Sequence, residues 1–114
     1  MAALQLFGRP KDRETQKGER WLKERRIPFH FVDLAKALSP GELDSIARAV
    51  GGHERLIDET SAAYKAGGWA HRAFDVREEL LEHPELVRTP ILRAAPRAVV
   101  GFDEASWKTL AEGS

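Results

Sequence analysis

The chain has 114 residues, of which 42% are hydrophobic and 32% charged, and its 18 basic and 18 acidic residues give a formal net charge of zero. This length suits one hydrophobic core, so we expect a single domain over residues 1–114. The absence of cysteine excludes disulfides, thiolate metal sites and thiol catalysis. The balanced charge gives no overall attraction to nucleic acid, so we expect no direct nucleic-acid binding.

The compartment is also predicted from what the sequence lacks. No apolar run approaches the roughly 18 residues that a membrane helix needs, so we expect no membrane span. Residues 1–4 contain no basic segment followed by an apolar stretch, so we predict no signal peptide and a cytoplasmic location.

The first part of the chain has the pattern of a strand, a turn and a helix. Residues 4–7 are strand-like, and residues 8–11 (Gly-Arg-Pro-Lys) form a turn. Asp12 can then cap a helix by accepting a hydrogen bond from the amide of Glu14 or Thr15. The residues that recur at helical spacing, and so predict the buried face of this helix, are Thr15, Gly18, Trp21 and Leu22.

A second strand follows the break at Ile27-Pro28. Residues 29–34 alternate between the two faces of an extended segment and are rich in aromatic and branched side chains. The basic residues Lys23, Arg25 and Arg26 stand just before this break, where cations complement the helix dipole. We interpret them as a solvated helix end and not as a binding patch.

Several helices are predicted between the second and third strands. Ser39, with Pro40 and Glu42 behind it, has the spacing of a capping box, and Gly51-Gly52 supplies the positive φ that ends the helix. Shorter helices begin near residues 60–61 and near Asp75, with Gly67-Gly68 between them. The helix that begins after Ser39 and ends at Gly51 is predicted to have a buried face that contains Leu43, Ile46, Ala47 and Val50.

The end of the chain predicts a β-hairpin and a last helix. Residues 89–92 are extended because a proline excludes the α region for the residue before it, and residues 97–100 form the partner strand. Asp103 caps a helix that contains Trp107 and Leu110. This order predicts an α/β protein with a thioredoxin-like fold and a mixed four-stranded sheet, and with a helical insertion over approximately residues 39–86.

The chain resembles the arsenate reductase (ArsC) family, which also contains the transcriptional regulator Spx and reductase-like proteins of the YffB type. The order and spacing of several short stretches over roughly residues 4–110 carry the resemblance. The stretches are Phe7-Gly8; Thr15, Lys17, Glu19, Arg20 and Trp21-Leu22; Phe31-Val32-Asp33-Leu34; Leu56-Ile57-Asp58 with Ser61 and Tyr64; Glu82-His83-Pro84; Arg88-Thr89-Pro90-Ile91; and Val100-Gly101-Phe102-Asp103 with Trp107.

The resemblance implies a degenerate reductase site. Catalytic relatives have a cysteine at the start of the first helix, where the helix terminus lowers the pKa of the thiol and holds an oxyanion. Asp12 occupies that position here, with Thr15 and Gln16 beside it. A carboxylate is a poor nucleophile toward arsenic or sulfur, and its charge repels arsenate, so we predict no catalytic residue at this site.

The anion-binding arginines that the resemblance implies are also missing. Their positions correspond to Asp58, to Thr89 before Pro90, and to the Val100-Gly101 region, which has no basic residue. Arg88 lies one residue further back and is expected to point to the other face of the segment, because side chains alternate along extended backbone. Arg9 and Lys11 flank the first turn, where they either attract an anion or are simply solvated. Arg9, Lys11, Arg88, Thr89 and Pro90 are therefore the candidate residues for a ligand-binding edge.

Two further features bear on binding. In the family that the chain resembles, Pro90 is expected to follow a cis peptide bond that leaves the strand edge free for an extended peptide or for glutathione; alternatively, Pro90 only shapes the sheet. Trp69 follows Gly67-Gly68 without core periodicity, so we predict that it is an exposed aromatic residue that contacts a partner. The four histidines show no pair at i, i+4 spacing, so no metal site is predicted.

Two functions remain open at this stage. The first is a non-catalytic binding or regulatory protein without a cofactor, for which the analogy with Spx suggests RNA polymerase as a protein partner. The second is a glutathione-dependent reductase or transferase that resembles arsenate reductase and uses an external thiol. In that alternative glutathione binds near Thr89 and Pro90, with Asp12, Thr15 and Gln16 around the helix start.

Overall fold

A computed structural model describes residues 4–36 and 38–113. Residues 1–3, on which the expectation of no signal peptide partly rests, lie outside the described residues. Of the described helices, none combines the length and the apolar character needed to cross a membrane. The regular elements in the described residues are β1 (Gln5–Gly8), α1 (Arg13–Glu24), β2 (His30–Asp33), α2 (Pro40–Val50), α3 (Ala62–Ala66), α4 (Val76–Glu82), β3 (Ile91–Ala94), β4 (Arg97–Val100) and α5 (Glu104–Glu112).

The four strands form one mixed sheet in the order β2-β1-β3-β4. β1 pairs in parallel with β2 through the crossover helix α1, and it pairs antiparallel with β3, which forms a hairpin with β4. Single turns of 3₁₀ helix at His53–Leu56, Trp69–His71 and Pro84–Leu86 lie with α2, α3 and α4 between β2 and β3. The predicted thioredoxin-like α/β fold with a mixed four-stranded sheet is confirmed.

Side-chain caps set where each α-helix begins. In every case an oxygen of the capping side chain accepts a hydrogen bond from the amide three residues ahead, which satisfies a donor that the helix itself leaves unpaired. Ser39 and Glu42 form the reciprocal capping box, and Gly51 ends α2 at φ 101°. The five capping residues are Asp12, Ser39, Ser61, Asp75 and Asp103.

Two apolar clusters cover the two faces of the sheet. Alternation along β1 and β3 sends Leu6 and Leu92 to one face and Phe7 and Ile91 to the other. The first face is covered by α1 and α5, which contribute Trp21, Leu22, Trp107 and Leu110. The second face is covered by the helices between β2 and β3, which contribute Leu43, Ile46, Ala47, Tyr64 and Leu80.

The prediction that Trp69 is an exposed contact residue is wrong. Its side chain is only 6% exposed and belongs to the second apolar cluster. Its ring packs edge-on against Phe74 and His83, each at a centroid distance of 5.3 Å, and the guanidinium of Arg72 lies 3.8 Å from the ring centroid. Gly68, at φ 68°, turns the chain so that the 3₁₀ segment directs the indole inward.

A short backbone pairing connects the end of the helical region to the segment that enters β3. Ile57 and Val87 form an antiparallel bridge, in which Asp58 N donates to Leu86 O at 2.8 Å and Arg88 N donates to Leu56 O at 2.7 Å. The peptide bonds before Pro90 and Pro96 are both cis. The bridge therefore fixes the backbone immediately before Thr89.

Candidate functional site

The candidate site lies where β1 ends and α1 begins. Gly8, the last residue of β1, has no side chain, and a Cβ at this position would overlap the side chain of Thr15. Thr15 lies in the first turn of α1 and is fully buried at the end of the strand. This close approach of strand and helix places the start of α1 beside the segment that precedes β3.

Asp12 is bound by three donors at a single carboxylate oxygen. Its Oδ2 accepts hydrogen bonds from Thr15 N at 3.0 Å, from Thr15 Oγ1 at 2.7 Å and from Thr89 Oγ1 at 2.8 Å. Thr89 is 77 residues away in sequence, so this carboxylate is both a helix cap and a tertiary link. The carboxylate thus occupies the helix terminus that an external anion would need.

Arg9 completes this network from the other side. Its backbone N donates to Thr15 Oγ1 at 3.3 Å, and its Nη1 donates to Thr89 Oγ1 at 3.2 Å. Each hydroxyl therefore accepts from Arg9 and donates to Asp12. We call the four residues Arg9, Asp12, Thr15 and Thr89 the Asp12 network.

The guanidinium of Arg9 also binds the backbone that precedes β3. Its Nη2 donates to Pro84 O at 2.6 Å and to Val87 O at 3.0 Å. Burial lowers the pKa of the Arg9 guanidinium below its usual value, and the nearby carboxylates of Asp12 and Glu85 oppose that shift. Of the two readings that the sequence left open for this residue, the solvated one does not apply, since Arg9 is part of an internal network.

The other predicted site residues lie outside this network. Gln16 is exposed and donates to Pro10 O at 2.8 Å, which closes the turn before α1. Lys11 and Arg88 are exposed. Pro90 is buried, and its carbonyl accepts from Gly101 N at 2.7 Å. The structure therefore brings together Arg9, Asp12, Thr15 and Thr89 but not Lys11, Gln16, Arg88 or Trp69.

Asp58 has a local role at the position where the resemblance implies an arginine. Its Oδ1 accepts from Thr60 N at 3.0 Å and from Thr60 Oγ1 at 2.6 Å, so the carboxylate stabilises the turn before α3. Its backbone belongs to the bridge between Ile57 and Val87. The residue is thus committed to the turn and offers no donor to an anion.

A depression of about 370 Å³ lies beside the Asp12 network and was not predicted from the sequence. It is lined by Arg9, by Leu34 and Ala35 after β2, and by Pro84 and Glu85. A signal was available, because β1 and β2 are parallel and their carboxyl ends, with the loops that follow, must share one edge of the sheet. No comparable signal predicted Pro84 and Glu85. They are held at this edge by the hydrogen bond from Arg9 to Pro84 O, which joins residues 75 positions apart in the sequence.

A second group of polar side chains was also missed. Glu79, Glu82 and His83 lie at i, i+3 and i+4 on one helical face, and each places a metal-ligating atom within 4.8 Å of the others. The spacing of the histidines gave no sign of this group, because two of its three side chains are glutamates. His83 lies between two of the neighbouring carboxylates, with Glu79 Oε2 at 3.8 Å from its Nε2 and Glu85 Oε2 at 3.4 Å from its Nδ1.

The Asp12 network allows binding and positioning but offers no redox-active group. Asp12 Oδ2 is engaged by three donors, and the two threonine hydroxyls that could bind an oxyanion already donate to it. An anion that entered this position would meet the like charge of Asp12, and the two threonine hydroxyls that could offset the repulsion already donate to that carboxylate. The helix start is therefore filled by the protein's own carboxylate.

This architecture is the thioredoxin-like α/β fold, and solved structures of other proteins share it. No protein-family model matches the sequence, and no curated protein does either. Among solved structures, a YffB protein is similar over 96% of this chain and 99% of its own, with a TM-score of 0.85 and 20% identity.

Two further similar structures belong to an arsenate reductase and to a protein related to arsenate reductase. An arsenate reductase (ArsC) related protein from Brucella melitensis has a TM-score of 0.72 and 22% identity, with 94% of this chain and 92% of its own covered. An arsenate reductase from Vibrio cholerae has a TM-score of 0.73 and 17% identity, with 85% and 87% covered. At these identities the likeness establishes the shared fold.

Proposed function

We propose that this chain is a member of the ArsC lineage that has lost thiol chemistry and acts as a binding or regulatory protein. The observation that carries the proposal is the Asp12 network, in which the position of the reductase nucleophile holds a carboxylate with three internal donors. The solved structures with this fold include arsenate reductases and proteins related to them, which supports the lineage.

The expected loss of the chain's own thiol chemistry follows from its composition. Reduction of arsenate to arsenite takes two electrons, which thiolates supply by attack on arsenic and formation of a disulfide. The chain has no cysteine, and Asp12 cannot donate these electrons. The only basic side chain in the network, Arg9, is already bound to Thr89, Pro84 and Val87.

An arsenate reduction assay with excess glutathione and a glutaredoxin tests the loss of chemistry. We expect no turnover above the protein-free rate, and we expect Asp12→Cys to remain inactive because the anion-binding arginines are missing as well. The matched positive control is an active ArsC enzyme under the same conditions. Turnover by the unmodified protein would contradict the proposal.

The binding role needs a separate test. Spx-like members of the family suggest RNA polymerase as a partner, and size-exclusion chromatography of the chain with purified bacterial RNA polymerase measures this directly. Co-elution that survives physiological salt would support a regulatory function. Elution of the chain alone at micromolar concentrations would remove RNA polymerase as the partner.

A second candidate function is favoured by the depression next to Arg9. Its volume of about 370 Å³ is within the range of small-molecule sites, and its lining includes Arg9, which binds the hydroxyl of Thr89. In this candidate, glutathione occupies the depression and supplies the thiol for a reductase or transferase. NMR titration with millimolar glutathione decides the matter: unshifted amides at residues 8–16, 34–35 and 84–91 would exclude it.

A further inference from the structure

The outer face of α1 carries a line of positive charge. Arg13, Lys17 and Arg20 follow each other at i, i+4 and i+7, so they lie along one side of the helix, and all three are exposed. None of them forms an ion pair with a described residue. Residues 11–26 contain seven basic and four acidic residues, a net charge of +3. We call Arg13, Lys17 and Arg20 the basic stripe.

α4 carries the opposite charge at the same spacing. Asp75, Glu79 and Glu82 follow each other at i, i+4 and i+7, beginning at the residue that caps the helix. Residues 75–86 contain five acidic residues and one basic residue, a net charge of −4. That basic residue, Arg77, is already paired with Asp44 at 2.8 Å and with Glu78 at 2.9 Å. We call Asp75, Glu79 and Glu82 the acidic stripe.

The two stripes cannot neutralise each other within one molecule. α1 packs through Trp21 and Leu22 onto one face of the sheet, whereas α4 packs through Leu80 into the cluster on the opposite face. The first and last residues of each stripe are seven positions apart, which at a rise of 1.5 Å per residue gives a length of about 10 Å. The stripes therefore match in length, spacing and number of charges while facing away from each other.

We propose that the basic stripe of one copy docks against the acidic stripe of a second copy of this chain. Alignment of the two helices places each cation opposite a carboxylate. Because the stripes are on opposite faces, each docked pair leaves one basic and one acidic stripe free, so association proceeds head to tail and does not close as a two-fold dimer. Exposed ion pairs are weak and screened by salt, so this association belongs to low ionic strength and high protein concentration.

Sedimentation velocity of the full chain over a concentration series tests the proposal. At an ionic strength of about 0.01 M, where charges act over about 30 Å, the average mass should rise with concentration past that of a dimer; at about 1 M, where the range is about 3 Å, the chain should be monomeric. The variant Arg13→Glu/Lys17→Glu/Arg20→Glu should be monomeric in both. The matched control Lys36→Glu/Lys65→Glu/Lys108→Glu makes the same change in net charge at exposed lysines outside the stripe and should still associate.

Charge exchange separates docking from a general change in charge. The variant Glu79→Lys/Glu82→Lys, which keeps the helix cap Asp75, should also be monomeric alone. An equimolar mixture with the basic-stripe variant should regain association, because a copy with two acidic stripes then meets a copy with one basic stripe and one stripe in which two of three charges are basic. Circular dichroism confirms that each variant is folded, and Arg13→Gln/Lys17→Gln/Arg20→Gln replaces the reversal variant if it is not. Three results would overturn the proposal: a monomer at every concentration in low salt, equal loss of association in the lysine control, or a basic stripe that binds added polyglutamate while the chain itself stays monomeric.

Discussion

Asp12 contributes more than a usual helix cap does, because one of its oxygens also binds two hydroxyl groups. Thr15 and Thr89 each direct a hydroxyl hydrogen to it, and each receives a hydrogen bond from Arg9. Removal of the carboxylate leaves a helix amide, the hydroxyl of the fully buried Thr15 and the hydroxyl of the half-buried Thr89 without their acceptor. The residue is therefore important for stability whether or not the site binds anything.

Asp12→Ala should lower the free energy of unfolding by about 1 to 3 kcal/mol, which combines the loss of a cap with the loss of acceptors for two hydroxyls. Asp103→Ala is the matched control, since the Asp103 carboxylate caps α5 by accepting from Ser106 N and Ser106 Oγ. It should cost about 1 kcal/mol. Urea unfolding followed by circular dichroism measures both values. Equal costs would show that the bond to the Thr89 hydroxyl adds nothing.

Asp44 makes the stability depend on pH in the acid range. Hydrogen bonds from Arg77, and secondly from His53, lower the pKa of its carboxyl from 3.8 to about 2. A carboxyl whose pKa is lower in the folded state stabilises the protein above its unfolded pKa, and this contribution disappears as the pH falls through the folded value. The contribution of Asp44 is therefore present above pH 3.8 and is lost toward pH 2.

Asp44→Asn should consequently unfold at a lower temperature than the unmodified chain at neutral pH, with a difference that shrinks as the pH falls from about 4 to about 2. Thermal unfolding at a series of pH values measures this difference. Glu104→Gln, at an exposed residue in the first turn of α5, is a control that should show no comparable convergence. A difference that stays constant over the whole range would mean that the pair with Arg77 does not shift the pKa of Asp44.

Among the elements, α1 and α5 pack at a distance that only glycine allows. A Cβ at Gly18 would overlap Cη2 of Trp107 and lie 2.8 Å from its Cζ3. Trp107 is fully buried, donates from Nε1 to Gly101 O at 2.9 Å, and packs edge-on against Trp21 and Phe102. The indole cannot move aside without breaking these contacts.

Gly18→Ala should therefore destabilise the protein although alanine is the better helix former. Overpacking costs about 1 to 3 kcal/mol, while the gain in helix propensity is about 1 kcal/mol. Gly41→Ala is the matched control, because it lies in the first turn of α2 and a Cβ there meets no atom within 4 Å. Urea unfolding should show a loss for Gly18→Ala and no loss for Gly41→Ala. A stabilised Gly18→Ala variant would mean that α5 can withdraw from α1.

Local signals in the sequence were sufficient to predict where the main helices and strands lie. The caps Asp12, Ser39 and Asp103 predicted the starts of α1, α2 and α5, because a cap acts over only three residues. The strand over residues 4–7 was placed one residue early relative to Gln5–Gly8. Trp69 was misjudged because its burial depends on Phe74 and His83, which approach it only when the helical region folds back on itself.

The candidate site, in contrast to the helices and strands, is built from residues that are far apart in the sequence. Asp12, Thr15 and Thr89 were selected from the sequence through the resemblance to the ArsC family. The role of Arg9 could not be deduced in this way, since its partners Pro84, Val87 and Thr89 are 75 to 80 residues away and two of them are backbone carbonyls. A backbone acceptor leaves no mark in the composition or spacing of a sequence.

For the whole molecule, the two apolar clusters should unfold together. They lie on opposite faces of the same sheet, so adjacent residues of one strand, such as Leu6 and Phe7, belong to different clusters. Trp21 and Trp107 report on one cluster and Trp69 on the other. The fluorescence transition of a Trp69→Phe variant, which reports on the first cluster, should therefore coincide in urea with its far-ultraviolet circular dichroism transition. Separate midpoints would show that one face of the sheet unfolds first.

The reach of Arg9 also has a consequence for folding kinetics. Its bonds to Pro84 O and Thr89 Oγ1 close loops of 75 and 80 residues, and closing a long loop before the intervening chain is ordered is entropically unfavourable. These bonds should form only after β1 and β3 have paired, late on the path to the native state. Arg9→Met should then accelerate unfolding and leave the refolding rate nearly unchanged, so that the arginine acts as a latch on an already assembled sheet.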